Sequence, residues 1–447
     1  MQSPGEPWSQ LFTWIESELG GRVVDYERQT RWRPAFFIDF EREGEPLSLY
    51  FRGVRPEIAE GAQAIAHEAR VLEALERGGI PVPHIYGVCP EPCGIVMERS
   101  PGRANLATAD SEAERKAVLD EYTDILARMH DLDVAPFEAM GLERPASARE
   151  LGLCDLARWE QTYRKGKSRP EPLIEFVIGW LKRSVPEGRS RVSFLAADAG
   201  QFLFDAGKVT ALLDFEIACL GDPAADLAAL RARDLSEPLG DIPAAYARYF
   251  ERSGDTIPTP VIDYHTVRFN IYTPMAVAPL VANPMPGLEL IQYLGWYWVY
   301  SLAPLEVMAH AMGVDVGAPI VPDATPTREA AAHDALVERL RQAASGDDFA
   351  AYEMGVPLRM AEYLRRAERF GPALEAEDLA EASALLDRPV TDWSEADRLL
   401  EAFVEEAGPE RDAELVRFFC RRSRRQVWLL DPVLRELEGC KIQLLDG

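Results

Sequence analysis

The sequence predicts an α+β chain: a small β-rich N-terminal lobe, a mainly helical second part and an all-helical C-terminal extension. Three observations carry this reading. Five short β-like runs lie before residue 100, with one helical stretch inserted after the third. From Ser111 onward the apolar residues recur at helical spacing. Residues 193–227 alone interrupt that helical half, with three short apolar runs. The boundaries expected are 1–99, 100–325 and 326–447.

Taken in order, residues 7–19 place Leu11, Phe12, Ile15 and Leu19 on one helical face and stop at Gly20-Gly21. Runs at 21–28, 35–41 and 47–54 read as strands, the last two joined as a hairpin by Glu43-Gly44. A helix over 56–77 ends at Gly78-Gly79, and strands at 84–88 and 94–98 complete the lobe. Residues 111–131 read as one helix with Leu119, Tyr122, Ile125, Leu126 and Met129 on one face. Further helices are expected at 149–164, 172–183, 223–233, 242–253, 261–276 and 290–305. Pro319, Pro322 and Pro326 mark the last boundary. Beyond it the pattern predicts helices at 328–344, 348–369, 377–386, 394–406 and 412–438. The run Arg421-Arg422-Ser423-Arg424-Arg425 reads as a solvated helix face.

The formal net charge is −26 and the pI about 4.7. Nucleic acid and anionic membranes call for a basic footprint, so neither is expected as a partner. A small-molecule substrate is expected, and acidity is compatible with a cationic one. Of six cysteines only Cys89 and Cys93 are close, in a segment that reads as a turn between strands, and no second pair completes a zinc site. This is the usage of a reduced compartment. The N-terminal MQSPGEPWSQ has neither a basic nor an apolar segment of the signal-peptide kind, so a cytoplasmic location is expected. Residues 290–305 are the most apolar stretch and are too short to span a bilayer.

Within 193–227, runs at 192–195, 201–204 and 209–213 read as strands. Asp205-Ala206-Gly207-Lys208 is the turn between the last two. Asp222 is placed as an N-cap and Pro223 as the first helical residue. Asp198 follows the first run and Asp214 the third. If these strands pair, their ends bring two acids sixteen residues apart into one small volume, which suits a metal-phosphate site.

Leu213-Asp214-Phe215-Glu216, Leu220-Gly221-Asp222-Pro223 and Asp226-Leu227-Ala228 resemble the "LDWE…LGDPxxDLA" signature of the aminoglycoside phosphotransferase-like family. Other pieces fall in the family's order. His67-Glu68-Ala69-Arg70-Val71-Leu72 resembles its "REaxvL" helix, and Ile80-Pro81-Val82-Pro83 its "vPVP". Val96-Met97-Glu98 resembles its hinge, and the helix through Leu126, His130 and Leu132 its "LAxLHxLD". The resemblance covers roughly residues 20–320 and implies a protein-kinase-like two-lobe fold.

It also implies phosphoryl transfer from ATP or GTP with Mg²⁺, a reaction that depends on positioning and counter-charge. By resemblance Asp198 takes the proton of a substrate hydroxyl, Asp214 binds Mg²⁺, and Gln201 stands where a second metal ligand, an Asn, is expected. Glu216 follows the metal Asp closely and, by the same resemblance, is expected to support it. Arg52 stands at the place of the phosphate-binding Lys, and Glu68 orients it. Met97, Glu98 and Arg99 offer backbone groups to the adenine. Asp222 and Asp226 read as structural, the second tying the catalytic loop to the helix, and His130 as a helix-end residue.

The catalytic loop departs from the family's pattern. Ala196-Ala197-Asp198 replaces His-Gly-Asp, and only Ala199 and Gly200 separate Asp198 from Gln201, two residues fewer than usual. Thr30-Arg31-Trp32-Arg33-Pro34 occupies the phosphate-covering turn, without glycine. Two functions therefore stand: a small-molecule kinase acting on a hydroxyl, and a catalytically impaired kinase-fold protein that binds a nucleotide or metabolite or serves as an interaction module. The acceptor pocket is expected near 150–180 and 260–310. The extension is expected to pack on the helical lobe, cover the cleft or form a homodimer.

Overall fold

A computed structural model describes residues 8–29, 33–54, 61–318, 321–343 and 348–446. Thr30, Arg31 and Trp32 of the expected phosphate-covering turn, residues 55–60 of the expected helix and Pro319 of the expected boundary lie outside them.

Helix α1 (Trp8–Leu19) precedes strands β1 (Arg22–Arg28), β2 (Ala35–Arg42) and β3 (Glu45–Gly53). Helix α2 (Gly61–Arg77) is followed by β4 (Ile85–Pro90) and β5 (Cys93–Glu98). Then come α3 (Glu112–His130), α4 (Ala135–Ala139), α5 (Ala148–Leu153), α6 (Leu156–Gly166) and α7 (Pro172–Arg183). Four short strands follow: β6 (Ser193–Leu195), β7 (Phe202–Asp205), β8 (Lys208–Leu212) and β9 (Cys219–Gly221). Helices α8 (Ala224–Arg233), α9 (Ile242–Ser253), α10 (Thr259–Ala282) and α11 (Leu290–Met312) continue the chain. Helices α12 (Ala330–Ala343), α13 (Asp348–Leu385), α14 (Trp393–Glu406) and α15 (Asp412–Leu430) complete it. No helix among the described residues is long and apolar enough to cross a membrane.

The chain divides into two compact units. One comprises Met1–Ala146, Ser190–Arg233 and Glu237–Thr256; the other comprises Ser147–Arg189, Asp234–Ser236 and Ile257–Gly447. This division differs from the boundaries expected at 99 and 325. Side chains of α3 hold the β7–β8 turn, with Glu114 accepting from the Gly207 N–H and Glu121 from that of Val209. Residues 190–233 therefore stay with the sheet.

In the first unit an antiparallel sheet runs β1-β2-β3-β5-β4. Along β2 the side chains alternate, with Phe36, Ile38 and Phe40 buried against Leu49, Phe51 and the Leu11, Phe12 and Ile15 face of α1. Each fully buried phenylalanine contributes about 2–3 kcal/mol. Glu43 and Gly44 both have positive φ (56° and 87°), the twist that a tight hairpin turn needs.

One strand expectation is corrected. The first run of 193–227 does not pair with the other two. It forms β6 against β9, while β7 and β8 form their own hairpin. Cys219–Gly221 is too short to show a strand pattern by itself.

The second unit is helical, packed around Tyr163, Ile174, Val177, Leu181, Ile271, Leu305 and Phe419. The helix expected over 149–164 is two, α5 and α6, because Cys154 between them adopts φ 51°. The helices expected at 348–369 and 377–386 are one, α13, which runs on through Pro357 and Pro372. The helix expected to reach 438 ends at Leu430, before Pro432. The basic run is not a solvated face. Arg422 pairs with Asp397, Arg424 with Glu306, Arg421 with Glu381, and Arg425 with Asp378 and Glu381.

Candidate active site

The chemistry-bearing residues gather in the first unit, where the end of β3, helix α2 and the loops after β6 and β8 supply them. Arg52 lies on β3 and Glu68 on α2, and both are buried. They meet as a two-pronged pair, Nη1–Oε1 2.6 Å and Nη2–Oε2 2.7 Å. The surface ion-pair alternative is thereby removed. Arg52 Nη2 also donates to Glu216 Oε2 at 3.1 Å, and Arg33 donates to the same oxygen at 3.3 Å. Asp214 Oδ1 lies 3.9 Å from Arg52 Nη1. Three carboxylates thus surround one guanidinium. Burial alone would lower the Arg52 pKa, but Glu68, Asp214 and Glu216 together hold it above its ordinary value. Burial pushes the Glu68 carboxyl up; Arg52 opposes this, while Asp214 and Glu216 add to it.

Glu68 also accepts the Phe215 N–H at 3.3 Å, which fixes the turn that carries Asp214. Asp214 itself has φ 62°, a conformation that costs a non-glycine residue of order 1 kcal/mol. Its Oδ1 is buried without a hydrogen-bond partner among the described residues. Such an orphaned acceptor is costly unless something fills it.

The loop after β6 carries Asp198. Asp226, wholly buried on α8, accepts the N–H of Ala196 and of Ala197, each at 2.8 Å. His130 faces the same carboxylate through Nε2 at 3.0 Å and Tyr249 through Nδ1 at 2.8 Å. His130 is therefore a buried brace of this loop rather than a simple helix-end residue. Ala197 has φ 64°, and Gly200 donates its N–H to the Tyr122 hydroxyl at 2.6 Å. Asp198 accepts from Arg233 Nη2 at Oδ1 (2.6 Å) and from Gln201 Nε2 at Oδ2 (2.7 Å). Burial pushes its carboxyl above the usual range. Arg233 opposes the shift, and the charges of Asp214 and Asp226 add to it.

Asp198 and Gln201 are thus brought into contact, as are Arg52, Glu68, Asp214 and Glu216. Met97, Glu98 and Arg99 lie at the end of β5, which pairs with β3. The Glu98 N–H already donates to His84 and the Arg99 N–H to Ser48, so two of the backbone donors expected to meet adenine are committed within the sheet. The Arg99 guanidinium lies over the Phe37 ring at 3.9 Å.

The residues present suit a divalent cation. Mg²⁺ commonly takes one or two protein ligands together with phosphate oxygens and water. Asp214 offers an unsatisfied buried oxygen, and Gln201, with its amide nitrogen turned to Asp198, has its amide oxygen left to offer. Among the described residues no three His, Cys, Asp or Glu gather as a metal set, so a cage made by protein alone is not what they form.

Sequence reasoning missed Arg233 and the role of Tyr122. A signal for Arg233 was present: Asp226, Leu230 and Arg233 stand at i, i+4 and i+7 of one helix. A cavity of about 670 Å³ in the second unit, lined by Tyr297, Trp298, Asp378 and Trp393 among others, includes none of these residues. The site is singled out by its charged groups and not by volume.

A family model described as "Phosphotransferase enzyme family" matches residues 35–269, just over half of the chain. Among curated proteins, the chain is 28% identical over 181 residues to acyl-CoA dehydrogenase family member 10 of Mus musculus, covering 37% of this chain and 16% of that protein. It is 26% identical over 222 residues to family member 11 of Rattus norvegicus, covering 46% and 28%. The matched part is less than a third of the length of either relative. Among solved structures, the chain superposes on a thermostable mutant of aminoglycoside phosphotransferase APH(4)-Ia in a ternary complex with ADP and hygromycin B. The TM-score is 0.50 at 14% identity, covering 67% of this chain and 99% of that one. A related complex of the same enzyme with AMP-PNP and hygromycin B also scores 0.50, at 15% identity. At these identities the likeness establishes the protein-kinase-like fold.

Proposed function

The chain belongs to the phosphotransferase enzyme family, and on that premise we propose that it transfers the γ-phosphoryl group of ATP or GTP to a hydroxyl of a small molecule. The observation that carries the reading is the pair of acidic centres in one unit: Asp198 on a loop pinned by Asp226, and Asp214 with an unsatisfied buried oxygen beside Arg52.

Asp198 accepts the proton of the attacking hydroxyl. Arg52, held rigid by Glu68, meets the phosphates as a fork where the family's pattern expects a lysine point charge. Asp214 and Gln201 would hold Mg²⁺, which when bound supplies positive charge to the phosphate oxygens. Glu216 keeps Arg52 and Arg33 from turning away. Met97, Glu98 and Arg99 border the adenine, with the main-chain groups of this segment that the sheet leaves uncommitted as its partners. A cytoplasmic setting fits free cysteines at all six positions.

A second reading, a binding protein with impaired catalysis, draws on one feature: both oxygens of Asp198 are already engaged. Asp198→Asn separates the two. Under the kinase reading it abolishes transfer to a panel of hydroxyl compounds while Mg²⁺-nucleotide affinity stays within a few-fold of the parent. Turnover that survives the change would show that Asp198 is not the base.

A further inference from the structure

The loop between Asp198 and Gln201 is two residues long and is shaped from outside. Helix α8 does this with one stripe. Asp226, in its first turn, takes the N–H groups of Ala196 and Ala197. Arg233, its last residue, puts Nη2 2.6 Å from Asp198 Oδ1. Leu230 stands between them. Positions i, i+4 and i+7 share a face because seven residues are close to two helical turns. Gly200 is fitted to that stripe: a Cβ there would lie 2.9 Å from Arg233 Cγ and 3.3 Å from Leu230 Cδ1, at φ +100°. The short loop, its glycine and the arginine form one arrangement.

We infer that Arg233 is a positioning residue of the transfer reaction, holding the Asp198 carboxylate in the orientation from which it takes the hydroxyl proton. This rests on the phosphotransferase reading above. A loop shortened by two residues has little freedom to orient its own side chains, and no histidine precedes Asp198 to brace it. Arg233 supplies the brace from a neighbouring element. Its guanidinium sits at the C-terminal end of α8, where positive charge is favoured, and Glu237 accepts from Nη1 at 3.5 Å. With Gln201 on Oδ2, the carboxylate cannot rotate without breaking a charged bond, yet each oxygen keeps a lone pair for a substrate hydroxyl. In the step itself the hydroxyl oxygen bonds to the γ-phosphorus and its proton passes to Asp198. The bond from that phosphorus to the β–γ bridging oxygen breaks, and its electron pair leaves with the nucleoside diphosphate.

The test uses the full chain with Mg²⁺-ATP and water as acceptor, comparing the parent with Arg233→Ala, Arg233→Gln and Arg233→Lys. Hydrogen exchange of residues 196–201 is measured alongside, without nucleotide. Arg233→Ala should lower kcat about 10- to 100-fold, the size of effect that a misplaced reacting group produces, with KM for ATP unchanged and the loop amides exchanging faster. Arg233→Lys should recover most of the rate. Guanidinium chloride at millimolar concentration should partly restore Arg233→Ala, where sodium chloride at equal ionic strength does not. Unchanged loop exchange overturns the inference whatever the turnover. So does a kcat loss that tracks melting temperature and is not recovered by lysine. A parent that neither binds nor hydrolyses ATP or GTP, with a loop that still loosens in Arg233→Ala, overturns the phosphotransferase reading and with it the catalytic purpose of the contact. That pattern leaves the brace itself in place.

Discussion

Glu68 holds Arg52 by both carboxylate oxygens and at the same time accepts the Phe215 N–H, so one buried acid ties β3 to the turn that presents Asp214. Removing it leaves a buried guanidinium with only the half-buried Glu216 and Asp214 as counter-charge. Glu68→Ala should therefore cost about 3–5 kcal/mol, the usual penalty for breaking a buried pair. Urea denaturation measures it. A loss under 1 kcal/mol would mean that the pair is not the tie described.

Asp226 satisfies two loop amides and faces His130 in a place closed to water. Asp226→Ala orphans those donors at once. A stability loss of about 3 kcal/mol or more is expected, together with loss of transfer. Transfer at the parent rate in a destabilised variant would show that the loop does not depend on this anchor.

The orphaned Asp214 oxygen predicts metal-dependent nucleotide binding. Mg²⁺-ATP at about 100 times its dissociation constant should stabilise the parent by roughly 2.7 kcal/mol. Asp214→Ala should lose most of that gain. Equal stabilisation in EDTA would remove Mg²⁺ from the site.

In the second unit, burial pushes the Asp378 carboxyl up to about 6, with Arg422 and Arg425 only partly opposing it. A carboxyl whose folded pKa exceeds its unfolded value keeps more protons when folded. Stability therefore falls as pH rises between about 4 and 6. The full drop is of order 3 kcal/mol. Asp378→Asn should flatten that slope in denaturation curves taken across this range. An unchanged slope would assign it to other carboxyls.

Gly200 has no room for a side chain beside Arg233 and Leu230. Gly200→Ala should displace Arg233 and lower kcat in the manner of Arg233→Ala. Steady-state kinetics on the purified variant reads this directly, and a parent-like kcat would show that the contact tolerates the shift.

The sheet was legible because strands and hairpin turns are written in short stretches. Phe36, Ile38 and Phe40 alternate, and Glu43-Gly44 takes the turn that joins β2 to β3. Helix α9 was legible for a similar reason, with Asp241 capping its start and Gly254 its end. The stretch from Leu213 to Leu227 pointed to the family, which residues 35–269 establish. Glu68 and Arg52 were nominated from the sequence, but their burial and two-pronged contact were not readable there.

What the sequence determined by itself, then, is the order of elements and the presence of two acids, Asp198 and Asp214, within the stretch that carries the family signature. Periodicity, caps and turns act over a few residues and leave a local trace. Tertiary structure decided that β6 pairs with β9, that α13 continues through two prolines, and that the basic run of α15 is spent on ion pairs. It also decided that Arg233, thirty-five residues after Asp198, is the group that holds it. These outcomes depend on which faces meet in space, and separation along the chain carries no record of that.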